Sequence, residues 1–176
     1  MAIPASVGGA VRMNAGAHGR EMAHVLESID VFELLPGAPR RIEATEVAPS
    51  YRGSELPRDA VVVGARMSLV AGDGATIRER MNEAREWRRR TQPLAEPNCG
   101  SVFKNPPSES AARLIEESGG KAMSVGGASV SAKHANFIVA GTGELIQAVR
   151  ERVLAHSGVL LEPEVHLVGD LDLAIR

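Results

Sequence analysis

The stretch PNCGSVFKNP, residues 97–106, is the part of the chain around which the rest is organised. It places a thiol, a hydroxyl, an ammonium and two side-chain amides within ten residues. A proline at each end stops a helix from running through it, so we predict a polar loop between two helices. Such a loop is suited to chemistry, although its composition alone also fits a plain helix connection with a few capping residues.

The overall composition is that of an ordinary globular chain. Its 176 residues are 44% hydrophobic and 24% charged, with a net charge of −2. This charge does not favour nucleic acid or an anionic membrane as a partner. The single cysteine, Cys99, excludes an internal disulfide and fits a reducing, cytoplasmic compartment. No apolar run is long enough to span a membrane, and no His or Cys residues stand at metal-ligand spacing.

Small residues dominate the beginning of the chain. Residues 3–19 are rich in glycine but contain neither of the common phosphate-binding glycine motifs. Such a segment permits close approach of the backbone to a ligand, or tight packing of a short helix. Further on, Arg52 stands next to a glycine in the YRGS segment, where it is either held rigidly inward or solvated in a turn.

The periodicity of apolar residues predicts an α+β fold. We predict strands at 28–34, 41–45, 60–70, 137–140 and 159–168, and helices at 75–90, 108–117 and from Thr142 to Gly158. The first two strands form a hairpin around a Pro-Gly turn. Ile77, Met81, Ala84 and Trp87 are spaced as a core stripe, and three arginines follow in the last turn, where cations suit the helix dipole.

Two polar residues in the second half stand inside apolar surroundings. Glu164 follows Pro163 within the last predicted strand, where it is either a site residue or faces water. His134 precedes a short buried strand, and a lone histidine there is more often hydrogen-bonded structure than a ligand. We divide the chain into domains at residues 1–72 and 73–176.

Four segments, taken in order, resemble one enzyme family. They are IPASVGGAVRMNAGAHG at 3–19, YRGS at 51–54, GSVFKNP at 100–106 with KHANFIV at 133–139, and LEPEVHLVG at 161–169. Together they resemble the UDP-N-acetylenolpyruvoylglucosamine reductase (UDP-N-acetylmuramate dehydrogenase) family of bacterial peptidoglycan synthesis. The match covers nearly the whole chain, and the combination is far more specific than any one segment.

The resemblance implies a fold and a reaction. The fold is the C-terminal part of an FAD-binding (PCMH/VAO-like) domain, followed by a small α+β substrate-binding domain. Because family members carry a flavin lobe before the Ile-Pro segment, we expect this chain to be N-terminally truncated. The reaction is reduction of UDP-N-acetylglucosamine enolpyruvate with FAD and NADPH, in which a serine donates a proton while an arginine and a glutamate stabilise the intermediate.

The family motifs also imply a role for individual residues. The catalytic set would be Ser101 as proton donor with Arg52 and Glu164. The FAD contacts would be Ile3, Gly8, Gly9, Asn14, Gly16 and Gly19, and the substrate pocket would contain Lys104, Asn105, His134 and Asn136. No metal is implied.

The sequence departs from the family at a few positions. Thr91 stands where relatives often carry a lysine, which weakens the expected anchoring of substrate charge unless Arg89 or Arg90 substitutes, and Cys99 stands where alanine is usual. With the flavin lobe absent, a second interpretation remains open: a non-catalytic module that holds a UDP-sugar. Flavin absorbance of the purified chain would separate the two, since only the reductase requires flavin.

Overall fold

The computed structural model describes residues 5–140 and 143–167. The chain forms two compact units, Met1–Arg85 and Glu86–Arg176. Both units combine helices with antiparallel sheet, which confirms the predicted α+β class. The domain division at 72/73 stays a prediction. Among the described residues, no helix combines the length and the apolar character needed to cross a membrane.

The first unit is built on a three-stranded sheet. Its elements are α1 (Val7–Arg12), β1 (Gly16–Ala17), β2 (Arg20–Glu21), a 3₁₀ turn (Met22–His24), β3 (Leu26–Glu33), β4 (Ala38–Glu43), α2 (Ala44–Val47) and β5 (Ala60–Met67). The central strand β3 pairs antiparallel with β4 and with β5. The predicted hairpin and the long β-branched strand are therefore confirmed.

One face of this sheet carries the core of the first unit. Alternate residues of a strand lie on opposite faces, so Ile29 and Val31 of β3 are fully buried while Phe32 is 39% exposed. The buried cluster consists of Val11, Ile29, Val31, Ile42, Val47, Leu56 and Ala60. It includes a residue of α1, so the sheet fixes the glycine-rich segment that precedes β1.

The long helix α3 (Gly74–Thr91) follows the first sheet and ends in the three predicted arginines. Its predicted core stripe is wrong. Ile77 is 46% exposed, Met81 and Trp87 are each 44% exposed, and α3 has no buried residue. The spacing places these side chains on one face, but burial needs an apolar partner. Both buried clusters of the described residues are formed by other elements.

The second unit is built on a four-stranded sheet with two helices. Its elements are β6 (Asn98–Ser101), α4 (Ala111–Glu117), β7 (Ser124–Val125), β8 (Ala128–Val130), β9 (Phe137–Val139) and α5 (Gly143–Ser157). The strand order is β6-β9-β8-β7, and every pairing is antiparallel. The core joins both helices to the sheet, through residues such as Ile115 of α4, Leu145 and Val149 of α5 and Val130 of β8.

Two predictions for this unit are corrected. The stretch 97–106 is a strand at its start, because β6 pairs with β9. The predicted strand at 159–168 does not form over the described part, where only an isolated bridge joins Pro163 to Phe103. Proline has no N–H to donate to a ladder, so pairing cannot continue evenly through this segment.

The helix ends agree with the sequence in part. Gly119 and Gly158 both have a φ of +73°, as expected of glycines that end helices. Ser110 is the N-cap residue of α4, but its side chain makes no capping hydrogen bond. The cap bond comes instead from Asn105, whose Oδ1 accepts from the N–H of Ala111 at 3.0 Å. Thr142, where the sequence predicts the last helix to begin, lies outside the described residues.

Candidate active site

Ser101 is the last residue of β6 and is exposed, whereas the two residues after it are buried. Val102 and Phe103 are 0% and 2% exposed and belong to the core of the second unit. Gly100, just before the serine, has a φ of +89°, a conformation that favours glycine. The hydroxyl therefore stands at a point where the chain passes from a twisted surface strand into the core.

The segment 162–164 lies alongside the residues that follow Ser101. The N–H of Glu164 donates to the carbonyl of Val102 at 2.8 Å, and the N–H of Lys104 donates to the carbonyl of Glu162 at 2.9 Å. This pairing places the half-buried Glu164 beside the immediate neighbour of Ser101. The backbone of Glu164 is thus bonded to the residue that follows Ser101, while the catalytic roles of both stay predictions.

The predicted substrate residues Lys104 and Asn105 both have partners within the protein. The ammonium of Lys104 lies 2.6 Å from Oε1 of Glu162 and its side chain is 24% exposed. Asn105 uses Oδ1 to cap α4. Substrate binding by either residue stays a prediction.

His134 and Asn136 lie in the turn that leads into β9. Nδ1 of His134 accepts from the N–H of Asn136 at 3.2 Å, and the imidazole contacts the ring of Phe137 edge-on at 4.7 Å. Burial lowers the pKa of His134 below its ordinary value. The side chain of Asn136 is buried and bonds to the backbone of Phe103 through both its oxygen and its nitrogen.

Arg52 lies in the first unit, in a turn closed by paired backbone hydrogen bonds between Ser50 and Gly53. Its φ is +58°, and its guanidinium lies 4.7 Å from the centroid of the Tyr51 ring. Nη2 donates to the carbonyl of Gly16 at 3.3 Å. The cation is therefore held against the glycine-rich segment, as the rigid alternative predicted.

The glycines of the predicted flavin segment have different surroundings. A Cβ on Gly8 would lie 3.2 Å from the carbonyl oxygen of Val62, so α1 packs closely on β5 at this glycine. Gly9 donates its N–H to the hydroxyl of Ser6, which caps α1. Gly19 has a φ of +74°, and a Cβ added to it would have no neighbouring atom of the described residues within 4 Å. Ile3 lies outside the described residues.

Asn14 is buried and links three segments of the first unit. Its Nδ2 donates to Oε2 of Glu21 at 2.8 Å and to the carbonyl of Ser50 at 2.9 Å, and its Oδ1 accepts from the N–H of Ala23 at 3.0 Å. It adopts a φ of +41°, which asparagine tolerates better than most residues. The side chain is thus engaged with the protein itself, and its predicted contact to a cofactor is untested.

A mostly apolar cavity of about 370 Å³ lies in the first unit beside these residues. It is lined by Ala5, Ser6, Val7, Ala10, Ala15, Ala17, His18, Arg20, Glu21, Met22 and Val25. Five of the eleven lining residues are alanine or serine, so a flat ring could lie close to the backbone there. The volume is in the lower part of the range usual for ligand pockets.

A second cavity, of about 490 Å³, lies in the second unit beside the segment that carries Glu164. It is lined by Arg150, Leu160, Leu161, Glu162, Pro163, Val165, His166 and Leu167. Arg150 is buried and donates from Nε to the carbonyl of Leu161 at 3.0 Å. This cavity therefore has a buried arginine, a carboxylate and an imidazole in a wall whose other residues are apolar.

Sequence reasoning missed two residues that shape the site. Asn98 accepts from the N–H of Gly100 at 3.0 Å, and the asparagine two residues before the glycine is the signal for such a turn. Glu162 holds Lys104, and its position two residues before Glu164 was the available signal. Within the described ranges, no three His, Cys, Asp or Glu residues are grouped so that they could hold a metal ion.

Comparisons with known proteins agree on one family. Residues 92–168 match the family described as UDP-N-acetylenolpyruvoylglucosamine reductase, C-terminal domain. The chain is 49% identical to the UDP-N-acetylenolpyruvoylglucosamine reductase of Heliobacterium modesticaldum, over 96% of this chain and 56% of the relative. It is 44% identical to that of Gloeobacter violaceus, over 95% of this chain and 59% of the relative.

A solved structure is similar over the same extent. The crystal structure of the UDP-N-acetylenolpyruvylglucosamine reductase from Thermus caldophilus matches with a TM-score of 0.80 and 39% identity, covering 93% of this chain and 60% of that chain. Across these matches the chain spans 56% to 60% of the length of its relatives.

Proposed function

We propose that this chain supplies the proton-donating and substrate-holding part of a UDP-N-acetylenolpyruvoylglucosamine reductase, since residues 92–168 match the C-terminal domain family of these enzymes. The proposed reaction reduces UDP-N-acetylglucosamine enolpyruvate to UDP-N-acetylmuramate in peptidoglycan synthesis, with FAD and NADPH as cofactors, in the cytoplasm. The observation that carries the proposal is the backbone pairing that fixes Glu164 beside Val102, next to Ser101.

Ser101 is the proposed proton donor. Its hydroxyl is exposed at the end of β6, while the buried residues after it hold its backbone in place. Serine is a weak acid in water, so it donates efficiently only when the site excludes solvent and stabilises the alkoxide that remains. A bound substrate would supply that exclusion by covering the exposed hydroxyl.

Arg52 and Glu164 are the groups proposed to stabilise the intermediate, Arg52 through its positive charge. A guanidinium held at a fixed place favours the oxygen on which negative charge develops, because little reorganisation is then needed. The bond to Gly16 and the contact with Tyr51 restrict Arg52 in this way within the first unit. Glu164 is half-buried in the second unit, and its backbone N–H is bonded to Val102.

The first unit offers a partial fit to FAD. The cavity beside the glycine-rich segment is apolar and has small side chains on its wall, which suits one ring system of a flavin dinucleotide. Gly8, Gly9, Asn14, Gly16 and Gly19 are the proposed contacts among the described residues, with Ile3 in addition. The chemistry that a bound flavin supplies is hydride transfer, with NADPH as the source of the electrons.

The test is turnover by this chain joined to the flavin lobe of a full-length relative. We expect NADPH oxidation that depends on added enolpyruvyl-UDP-N-acetylglucosamine. Ser101→Ala should lower kcat by about 10²–10⁴-fold, the range typical of a lost general acid, while reduction of the flavin by NADPH is unchanged. Ser108→Ala, at an exposed serine of the next loop, is the matched control. Unchanged turnover in Ser101→Ala would exclude it as the acid.

The second candidate function is a UDP-sugar-binding module without catalysis. It is favoured by the cavity of about 490 Å³ whose lining residues all belong to the second unit. The purified 176-residue chain tests this second candidate. We expect it to bind FAD weakly or not at all, whereas a yellow protein that oxidises NADPH in the presence of substrate would show that the chain suffices for catalysis.

A further inference from the structure

The side chain of Asn136 takes the place of a strand residue directly before β9 begins. Its Oδ1 accepts from the N–H of Phe103 at 2.9 Å, and its Nδ2 donates to the carbonyl of the same residue at 2.8 Å. The backbone carbonyl of Asn136 accepts from the N–H of Val102 at 2.9 Å. One asparagine thus bonds to two successive residues directly after Ser101.

These bonds lie in the interior. Asn136 is 4% exposed and Phe103 is 2% exposed, so water cannot readily replace a lost bond. A buried backbone group without a partner is unfavourable. The amide therefore fixes the orientation of the Phe103 peptide groups, and through them the backbone between Ser101 and Lys104.

A second asparagine holds the other side of Ser101. The Nδ2 of Asn98 donates to the carbonyls of Pro93 at 2.9 Å and Glu96 at 2.8 Å, while its Oδ1 accepts from the N–H of Gly100. These bonds are nearer the surface than those of Asn136. The serine hydroxyl thus stands on a short stretch of backbone that is fastened before and after it by side-chain amides.

We propose that Asn136 is a positioning residue for Ser101, assisted by Asn98, and does not contact the substrate directly. The sequence pattern had assigned Asn136 to the substrate pocket, but both ends of its amide serve the backbone of Phe103. The consequence for catalysis rests on the proposed role of Ser101 as proton donor. The two hydrogen bonds of the Asn136 amide to Phe103, called the clamp below, form in the chain without any ligand.

The first measurement uses the intact 176-residue chain without ligand. In Asn136→Leu we expect amide hydrogen exchange of Phe103 to accelerate by about tenfold or more, with shifted amide signals for Gly100, Ser101 and Lys104. In Asn136→Asp the carboxylate still accepts from the Phe103 N–H, so exchange there should accelerate less than in Asn136→Leu.

Controls separate loss of the clamp from loss of the fold. The amides of Leu145 and Val149 report on the core of the second unit and should stay protected. Should Asn136→Leu unfold this core, Asn136→Asp carries the same comparison. Asn82→Leu, at an exposed site on α3, should change none of these signals. Asn98→Leu should shift Gly100 and Ser101, with a smaller effect than Asn136→Leu.

The second measurement tests the consequence in the complete reductase described above. Asn136→Leu should lower kcat at least tenfold and leave the dissociation constant of the UDP-sugar within about twofold, because a displaced hydroxyl affects proton transfer and not binding. Unchanged loop amides in Asn136→Leu would overturn the proposal. Loss of UDP-sugar binding without a change in the ligand-free loop would also overturn it, in favour of direct contact.

The two proposals fail in different ways. If Ser101→Ala keeps full turnover while Asn136→Leu still disturbs the loop amides, the proposed function is wrong and the clamp stands. If Ser101→Ala abolishes turnover while Asn136→Leu leaves both loop and kcat unchanged, the function stands and the clamp is wrong.

Discussion

Each of the two units holds a buried asparagine close to a predicted catalytic residue. In the first unit Asn14 donates to the carbonyl of Ser50, two residues before Arg52. In the second unit Asn136 bonds to Phe103, two residues after Ser101. Both amides were predicted ligands, and both are engaged with the protein backbone. A buried amide inside a family motif therefore indicates a residue that shapes the site at least as readily as one that touches the ligand.

The two amides differ in what they bond to. Asn14 donates to the carboxylate of Glu21 and adopts a φ of +41°. The side chain of Asn136 bonds to two backbone groups of Phe103, and both bonds are buried. The first arrangement thus depends on charge and on a left-handed backbone, whereas the second depends on exclusion of water.

The largest expected effect is the loss of either amide, with Asn14→Leu exceeding Asn136→Leu. Asn136→Leu leaves two buried backbone groups unpaired and should lower the free energy of unfolding by about 2–4 kcal/mol. Asn14→Leu loses bonds to two backbone groups and a carboxylate, and adds a left-handed leucine, for about 3–5 kcal/mol. Urea unfolding followed by circular dichroism measures both.

Asn14→Gly separates these contributions, because glycine accepts the left-handed backbone. It should be less destabilised than Asn14→Leu by about 1 kcal/mol. Equal stability of the two variants would show that backbone strain at position 14 does not explain the difference between Asn14 and Asn136.

A smaller effect is expected when a methyl group is added beside Glu21, one of the partners of Asn14. A Cβ on Gly16 would lie 2.8 Å from Cγ of Glu21 and 2.9 Å from the carbonyl oxygen of Arg20. Gly16→Ala should therefore lower the free energy of unfolding by about 1–3 kcal/mol. Gly127→Ala in the second unit is the matched control, since nothing lies within 4 Å of its added Cβ. Equal losses in both variants would contradict the packing argument.

The hydrogen bond from the Asn136 N–H to His134 should be lost in acid, with an effect on stability. Burial lowers the pKa of this imidazole below the ordinary value of 6.5, so the unfolded chain takes up the proton first as the pH falls. The contribution to stability is complete above 6.5 and is lost below it, because protonated Nδ1 no longer accepts from the Asn136 N–H. The amide signal of Asn136, followed through a pH titration of the folded chain, gives the midpoint at which His134 takes up its proton. A midpoint above the ordinary histidine value would contradict the desolvation argument.

The smallest effect is expected for the ion pair between Lys104 and Glu162 in the second unit. Lys104 and Glu162 lie 2.6 Å apart, but the Glu162 side chain is 68% exposed. Glu162→Gln should cost at most about 0.2–1 kcal/mol, and the difference should shrink in high salt. Glu116→Gln, in the similarly exposed pair with Lys121, is the control. A loss of unfolding free energy well above that of Glu116→Gln would show that the pair stabilises the fold more than an ordinary surface ion pair.

The sequence predicted where elements lie better than what they pack against. The β-branched runs of β3 and β5 and the periodic apolar positions of α3 identify these elements, because local geometry alone determines which residues share a face. The exposure of Ile77 and Trp87 could not be foreseen in the same way. Whether a face is buried depends on the elements that reach it, and that information is not local.

The sequence named candidate site residues, whose roles stay predictions, but it did not indicate their interactions. Motif resemblance indicated Ser101 and Glu164, and the structure bonds Glu164 to Val102, the residue after Ser101. It could not indicate that Asn105 caps α4 or that Asn136 bridges to Phe103, because an amide side chain can bind a ligand or a peptide group equally well. Only the arrangement of the chain around it decides which.

Cys99 gives the chain a chemical handle at the site. It is the only cysteine in the sequence, it is exposed, and it lies two residues before Ser101. Partial burial of the thiol raises its pKa, so the reactive thiolate is scarce at neutral pH and becomes abundant only in alkali. A thiol-directed fluorophore or spin label would thus attach at one known position without any engineered mutation. Its signal would report directly on whether the strand that carries the proposed proton donor moves when a nucleotide sugar is added.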